Sequence, residues 1–173
     1  MAVSTDITAV VRSALDNADI VYFTRSFLDE DGDRFDDFLI RYSYDHRAKT
    51  EIDYLVKVQT YADGARILTI QGNNTHVYDL DRRPQMLEAI HEYSSRYRNP
   101  KVVLTTNETV LQVRTEVHYP VRSGLSEAMF DVLLRDFASA NFAFLRWLAD
   151  TDHGRQIPAD EDEHPPEPDE QED

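Results

Sequence analysis

A chain of 173 residues with 41% hydrophobic content is long enough to build one compact domain around its own core. It has no cysteine, which excludes disulfides, a thiolate nucleophile and sulfur-built zinc sites, and leaves His and carboxylates to hold any metal. The net charge of −15 is concentrated at one end: residues 150–173 hold 11 acidic residues and one Arg, giving −10, and residues 1–149 carry the other −5.

Affinity for nucleic acid depends chiefly on Lys and Arg neutralising phosphates, so this charge balance argues against nucleic acid and against an anionic membrane surface as partners. Residues 1–11 lack a basic segment followed by an apolar run, and no segment approaches the roughly 18 apolar residues that span a bilayer. A soluble, cytoplasmic protein is the expectation.

In chain order, Ile7, Val10, Val11 and Ala14 fall at helical spacing, with Ser4 or Thr5 as cap and Asp6 favourably placed against the helix dipole. From Ile20 the period becomes two. Val21, Phe23 and Phe27 alternate with polar positions, Gly32 lies in a connection, and Phe38, Ile40, Tyr42 and Tyr44 share a face, which predicts a first hairpin. A second places Ile52, Tyr54, Val56 and Val58 on one face, turns at Ala62-Asp63-Gly64 and returns over residues 65–71, where Gly72-Asn73-Asn74 breaks the pattern. Met86, Ile90, Tyr93 and Tyr97 then form a helical stripe between Pro84 and Asn99-Pro100. Val102 and Leu104, an Asn107-Glu108 turn and alternating Leu111, Val113, Val117 and Tyr119 predict a third hairpin that ends at Pro120. A long helix follows over residues 125–149, capped by Ser123 or Ser126.

The fold class is therefore α+β: an antiparallel sheet of about five to six strands flanked by helices, in the order α-ββ-ββ-α-ββ-α. The domain is expected over residues 1–149. Residues 150–173, rich in Asp, Glu and Pro and nearly devoid of apolar side chains, are expected to form a disordered tail. Solubility is its simplest role; mimicry of nucleic acid or retention of a basic partner is the alternative.

No motif speaks for chemistry. The cluster Asp29-Glu30-Asp31-Gly32-Asp33 begins like a calcium loop, but Arg34 stands where Gly is needed and Ile40 where a bidentate Glu is needed. The six histidines are scattered without an HxxxH pair and read as surface residues, with His118 on the polar side of its strand. Ser123-Gly124 lies in no nucleophile elbow. No catalytic residue, cofactor or metal site is expected, and the chain is read as a non-enzyme.

The last helix carries the functional expectation. Met129, Leu133, Phe137, Ala140, Phe144 and Trp147 form one apolar stripe, and Phe130, Leu134, Ala138, Phe142 and Leu145 a second. A single sheet cannot cover both. The second stripe packs on the first helix of the same chain, or it meets a partner; Phe130, Leu134, Phe142 and Leu145 are then the candidate partner or dimer interface.

The segment Leu111-Gln112-Val113-Arg114-Thr115-Glu116-Val117, followed by Gly124-Leu125-Ser126-Glu127 opening a helix with Phe137, Phe142 and Leu145, resembles the YbjN family of the type III secretion chaperone-like superfamily. The likeness is strongest over residues 109–148 and extends more weakly over residues 4–149; the acidic connection at residues 29–37 and the long tail depart from it. The resemblance implies a homodimeric, chaperone-like or regulatory module that binds a protein or peptide client, for instance by strand addition to a sheet edge. The competing reading is a small-molecule-binding or enzymatic domain in which Tyr42, Tyr44, Tyr54, Tyr61 and the histidines line a pocket between sheet and helix.

Overall fold

The computed structural model describes residues 6–41, 45, 46, 48, 50–107 and 109–151. Its elements run α1 (Ile7–Asn17), β1 (Tyr22–Leu28), β2 (Arg34–Arg41), β3 (Ile52–Thr60), β4 (Arg66–Asp79), α2 (Arg83–Arg96), β5 (Lys101–Asn107), β6 (Val110–Pro120) and α3 (Glu127–Asp150). The class and order are those expected from the sequence. All strand pairs are antiparallel, in the spatial order β1-β2-β3-β4-β6-β5. Most of the tail, like Tyr42, Tyr44, His153, His164 and the turn residue Glu108, lies outside the described residues.

Alternation sorts the sheet into two unlike faces. Phe38, Ile40, Ile52, Tyr54, Val56, Val58, Leu68 and Ile70 are buried under the helices. On the other face the register lines up Arg25, Asp37, Lys57, Thr69 and His118 across five strands. Charged and polar cross-strand neighbours of this kind allow one face of an antiparallel sheet to remain in water.

Local chemistry fixes the helix ends. Asp6 is itself the cap of α1, its Oδ1 accepting from Ala9 N at 3.0 Å, where the sequence had suggested Ser4 or Thr5. Ser126 caps α3 by accepting from Met129 N at 3.2 Å, and Pro84 stands in the first turn of α2. Tyr97 falls outside the stripe proposed for it: it is the C-cap residue of α2, with extended backbone, and is exposed.

Two further expectations need correction. The strand does not stop at Gly72; β4 continues to Asp79 across an irregularity between Asn73 and Val77, where Asn74 Nδ2 donates to the Val113 carbonyl at 2.6 Å. His76, read as a surface residue, sits inside this irregularity at 7% exposure. A bulge re-aims side chains within a continuing strand, and Gly-Asn-Asn is as compatible with that as with a loop.

Nor do the two stripes of α3 define its inward line. That line is Phe130, Phe137, Asn141, Phe144 and Leu148, all buried, with Leu145 beside it, whereas Met129 is half exposed. Phe137 meets Tyr54 edge-on at 5.9 Å, and Phe144 meets Tyr93 of α2 at 4.8 Å. Glu127 ties α3 to α1 by accepting from Ser13 Oγ at 2.7 Å and Asn17 Nδ2 at 2.9 Å.

Asn141 is the polar member of this line, and Gly72 explains it. Tyr54, Gly72 and Thr115 are register neighbours on three adjacent strands. Asn141 drops over the glycine: its Oδ1 accepts from Thr115 Oγ1 at 2.7 Å and its Nδ2 donates to the Tyr54 hydroxyl at 3.4 Å. A Cβ on residue 72 would lie 2.7 Å from Thr115 Oγ1 and 2.9 Å from Asn141 Nδ2, inside contact distance. Gly72→Ala is therefore expected to destabilise the fold by about 1–3 kcal/mol in urea unfolding. The loss should shrink in an Asn141→Ala background, because one clashing partner is then gone.

Candidate functional site

Beside its inward line, α3 forms one wall of an open cleft of about 410 Å³. Leu134, Ala138 and Phe142 supply that wall, Ile40 and Tyr54 the floor on β2 and β3, and Ala18 and Ile20 the end where the chain leaves α1. Asp131 and Arg135, paired at 2.9 Å, stand at the rim with Ser139. Helical geometry produces this arrangement directly: residues 131, 135 and 139 and residues 134, 138 and 142 are adjacent rows one turn apart, the first polar and the second apolar.

The four interface candidates divide here. Phe130 and Leu145 are 1% and 3% exposed and belong to the core of this chain. Leu134 and Phe142 are partly buried and face the cleft. Phe142 is also set from outside, because the Arg146 guanidinium lies 5.7 Å from its ring centre while bonding Asp45 at 2.8 Å. Of the tyrosines proposed for a pocket, Tyr54 lines this cleft; Tyr61 instead holds the β3–β4 turn, where its carbonyl accepts from Gly64 N at 2.9 Å and Gly64 adopts a φ of +83°.

The buried carboxylates, the natural places to look for acid–base or metal chemistry, are tied into structure. Asp36 joins three elements, accepting from Thr8 Oγ1 at 2.8 Å on α1, from Ser26 on β1 and from Arg34 on its own strand. Asp45 accepts from Arg146 of α3 and from Ala48 N. Glu116, on the open face, is bonded by Lys101 at 2.7 Å and approached by His118 at 3.3 Å, Gln71 at 3.4 Å and Arg114 at 3.6 Å. His118 also meets Thr69 Oγ1 at 2.9 Å through Nδ1. Hydroxyl, imidazole and carboxylate thus follow one another, but the carboxylate is shared among four side chains and serves as an ionic hub. Asp29, from the calcium-like cluster, accepts from Asp31 N and Asp33 N, an ordinary turn arrangement. Among the described residues no group of three metal-binding side chains comes together, and no helix is long and apolar enough to cross a membrane.

No family model and no curated protein sequence matches the chain. Among solved structures, YbjN from E. coli superposes with a TM-score of 0.60, covering 91% of this chain and all of its own at 10% identity. The two chains share a fold. At that identity the likeness to YbjN is one of architecture, and it agrees with the sequence resemblance at that level. For YbjN a role as a transcription regulator has been suggested.

Burial alone would raise the pKa of both Asp36 and Glu116, but the side-chain hydrogen bonds they accept and the adjacent positive charges outweigh it and hold both carboxyls below their ordinary values. Unfolded carboxylates titrate near pH ~4, so both groups stabilise the fold above that value and lose the contribution as pH falls through their depressed folded values. Asp36→Asn should accordingly lower stability at neutral pH and flatten its decline below about pH 4, as followed by urea unfolding at several pH values.

Proposed function

We propose that this chain is a YbjN-like, non-enzymatic binding module that receives an apolar side chain of a protein or peptide client in the cleft beside α3. The observation that carries the reading is the cleft itself: apolar walls of Leu134, Ala138 and Phe142 next to a charged rim of Asp131 and Arg135. An apolar pocket with a polar rim is the pattern of an anchor site in protein recognition. The shared fold with YbjN supports a regulatory role, and the net charge of −15 favours acting through another protein over direct contact with a phosphate backbone.

A second reading draws on the cleft's volume, which lies within the range of about 300–1,000 Å³ typical of small-molecule sites. Tyr54 and Ser139 would then orient a small amphipathic ligand.

The test is selection of a random peptide library on the full chain, with Ala138→Trp, which fills the cleft, as the counter-target. Peptides sharing an apolar anchor should emerge and lose about tenfold or more in affinity on the variant, which a thermal melt must show to be folded. Peptides that bind both proteins equally would overturn the assignment to this cleft. Thermal shifts with small apolar compounds, abolished by the same substitution and unaccompanied by peptide binding, would select the second reading.

A further inference from the structure

The two ends of the sheet differ. At one, β5 packs against α2 and shows no large exposed apolar side chain. At the other, β1 pairs only with β2, so its outward backbone groups have no strand beside them among the described residues. This bare edge also carries Phe23 at 66% and Leu28 at 69% exposure, with Phe27 partly exposed. It has no Pro or bulge, and its one charged side chain, Arg25, is paired with Asp37, so the devices by which edge strands ordinarily avoid pairing with other chains are reduced to that single neutralised charge.

We infer that β1 pairs antiparallel with β1 of a second copy of this chain, joining two six-stranded sheets into one across a two-fold axis at Arg25. The strand reads Tyr-Phe-Thr-Arg-Ser-Phe-Leu, and about its central Arg25 it is nearly the same in both directions. Antiparallel self-pairing centred there sets Phe23 opposite Phe27 of the second copy, Thr24 opposite Ser26, and Tyr22 opposite Leu28. Aromatic pairs and hydroxyl pairs are favourable cross-strand neighbours, and a two-fold interface requires this self-complementarity.

Charge completes the match. Two Arg25 side chains meet at the axis, a repulsive contact if nothing else were near. Each is paired at 2.6 Å with Oδ2 of its own Asp37, one strand inward on the same face, and lies 5.2 Å from the centre of its own Phe27 ring. The other oxygen, Asp37 Oδ1, is buried without a hydrogen-bond partner among the described residues. Across the axis the order becomes Lys57, Asp37, Arg25, Arg25, Asp37, Lys57, so that a carboxylate stands directly behind each arginine at the axis and offsets its charge. A seven-residue strand makes less contact than standard protein interfaces, so the dimer forms at micromolar concentrations or above. It tightens as salt screens the repulsion between two chains of net charge −15.

Because the chain has no cysteine, register can be read by cross-linking. Phe23→Cys and Phe27→Cys chains, mixed under mild oxidation, should give a disulfide between unlike chains. Each alone should stay uncross-linked, because like positions are four residues out of register, about 14 Å along the strand and beyond disulfide reach. Light scattering across micromolar to millimolar concentrations should show a monomer–dimer equilibrium, and Phe23→Lys/Phe27→Lys, shown by a cooperative thermal melt to be folded, should weaken it about tenfold or more. A chain that stays monomeric throughout overturns the inference, even if an extended peptide binds the same edge. So does a dimer that tolerates both lysines, or cross-linking between like chains. Peptide binding at the α3 cleft is unaffected by the lysine pair, so the two readings fail separately.

Discussion

The architecture rests on the seating of Asn141 over Gly72. A long apolar helix can slide and roll on a sheet of Val, Ile and Leu with small changes in burial, whereas a buried amide must find its partners or leave polar atoms unsatisfied at a cost of roughly 1–3 kcal/mol. Tyr54 and Thr115, on either side of Gly72, are the partners, so α3 has one place to sit. From that seat follow the contact of Glu127 with α1, the packing of Phe144 on Tyr93 of α2, and the reach of Arg146 to Asp45. The cleft lies beside the same seat, where Leu134, Ala138 and Phe142 of α3 stand over Ile40 and Tyr54.

Among the described residues, three helices on one face leave a six-stranded sheet half in water. The open face meets this with its row of Arg25, Asp37, Lys57, Thr69 and His118 and with the hub at Glu116, so that few large apolar side chains remain there. The exceptions gather towards β1, where Phe23, Leu39 and Leu55 line a shallow hollow with Asp37. The exposed apolar surface of this sheet is thus placed next to its bare edge and away from its middle.

The order of elements was legible because alternation and helical spacing are strong in this chain, and Asp63-Gly64 and Pro84 mark their boundaries plainly. What misled was punctuation that folding overrides: Gly72-Asn73-Asn74 looks like an end, yet the strand continues because Asn74 bonds across to Val113 and the glycine is needed for close packing. The site was half legible. Leu134 and Phe142 could be found from the surplus of apolar positions on α3, but Phe130 and Leu145 belong to the same apparent stripe, and only the roll of the helix separates them. Asn141 carried the missing signal: a lone amide amid aromatic residues marks the side of a helix that faces hydrogen-bond partners. Ala18 and Ile20, distant in sequence and unremarkable in type, gave no such mark.

The inequality of the two sheet ends also limits growth. A sheet with two equally receptive edges can add copies without end and becomes a fibre, whereas a unit with one receptive edge exhausts it in the first encounter. Because β5 contacts α2 and carries no large exposed apolar side chain, a pair of chains joined through β1 presents at its two ends strands without the exposed aromatic residues of β1. The same polarity that leaves β1 adhesive makes each molecule the terminator of the assembly it begins.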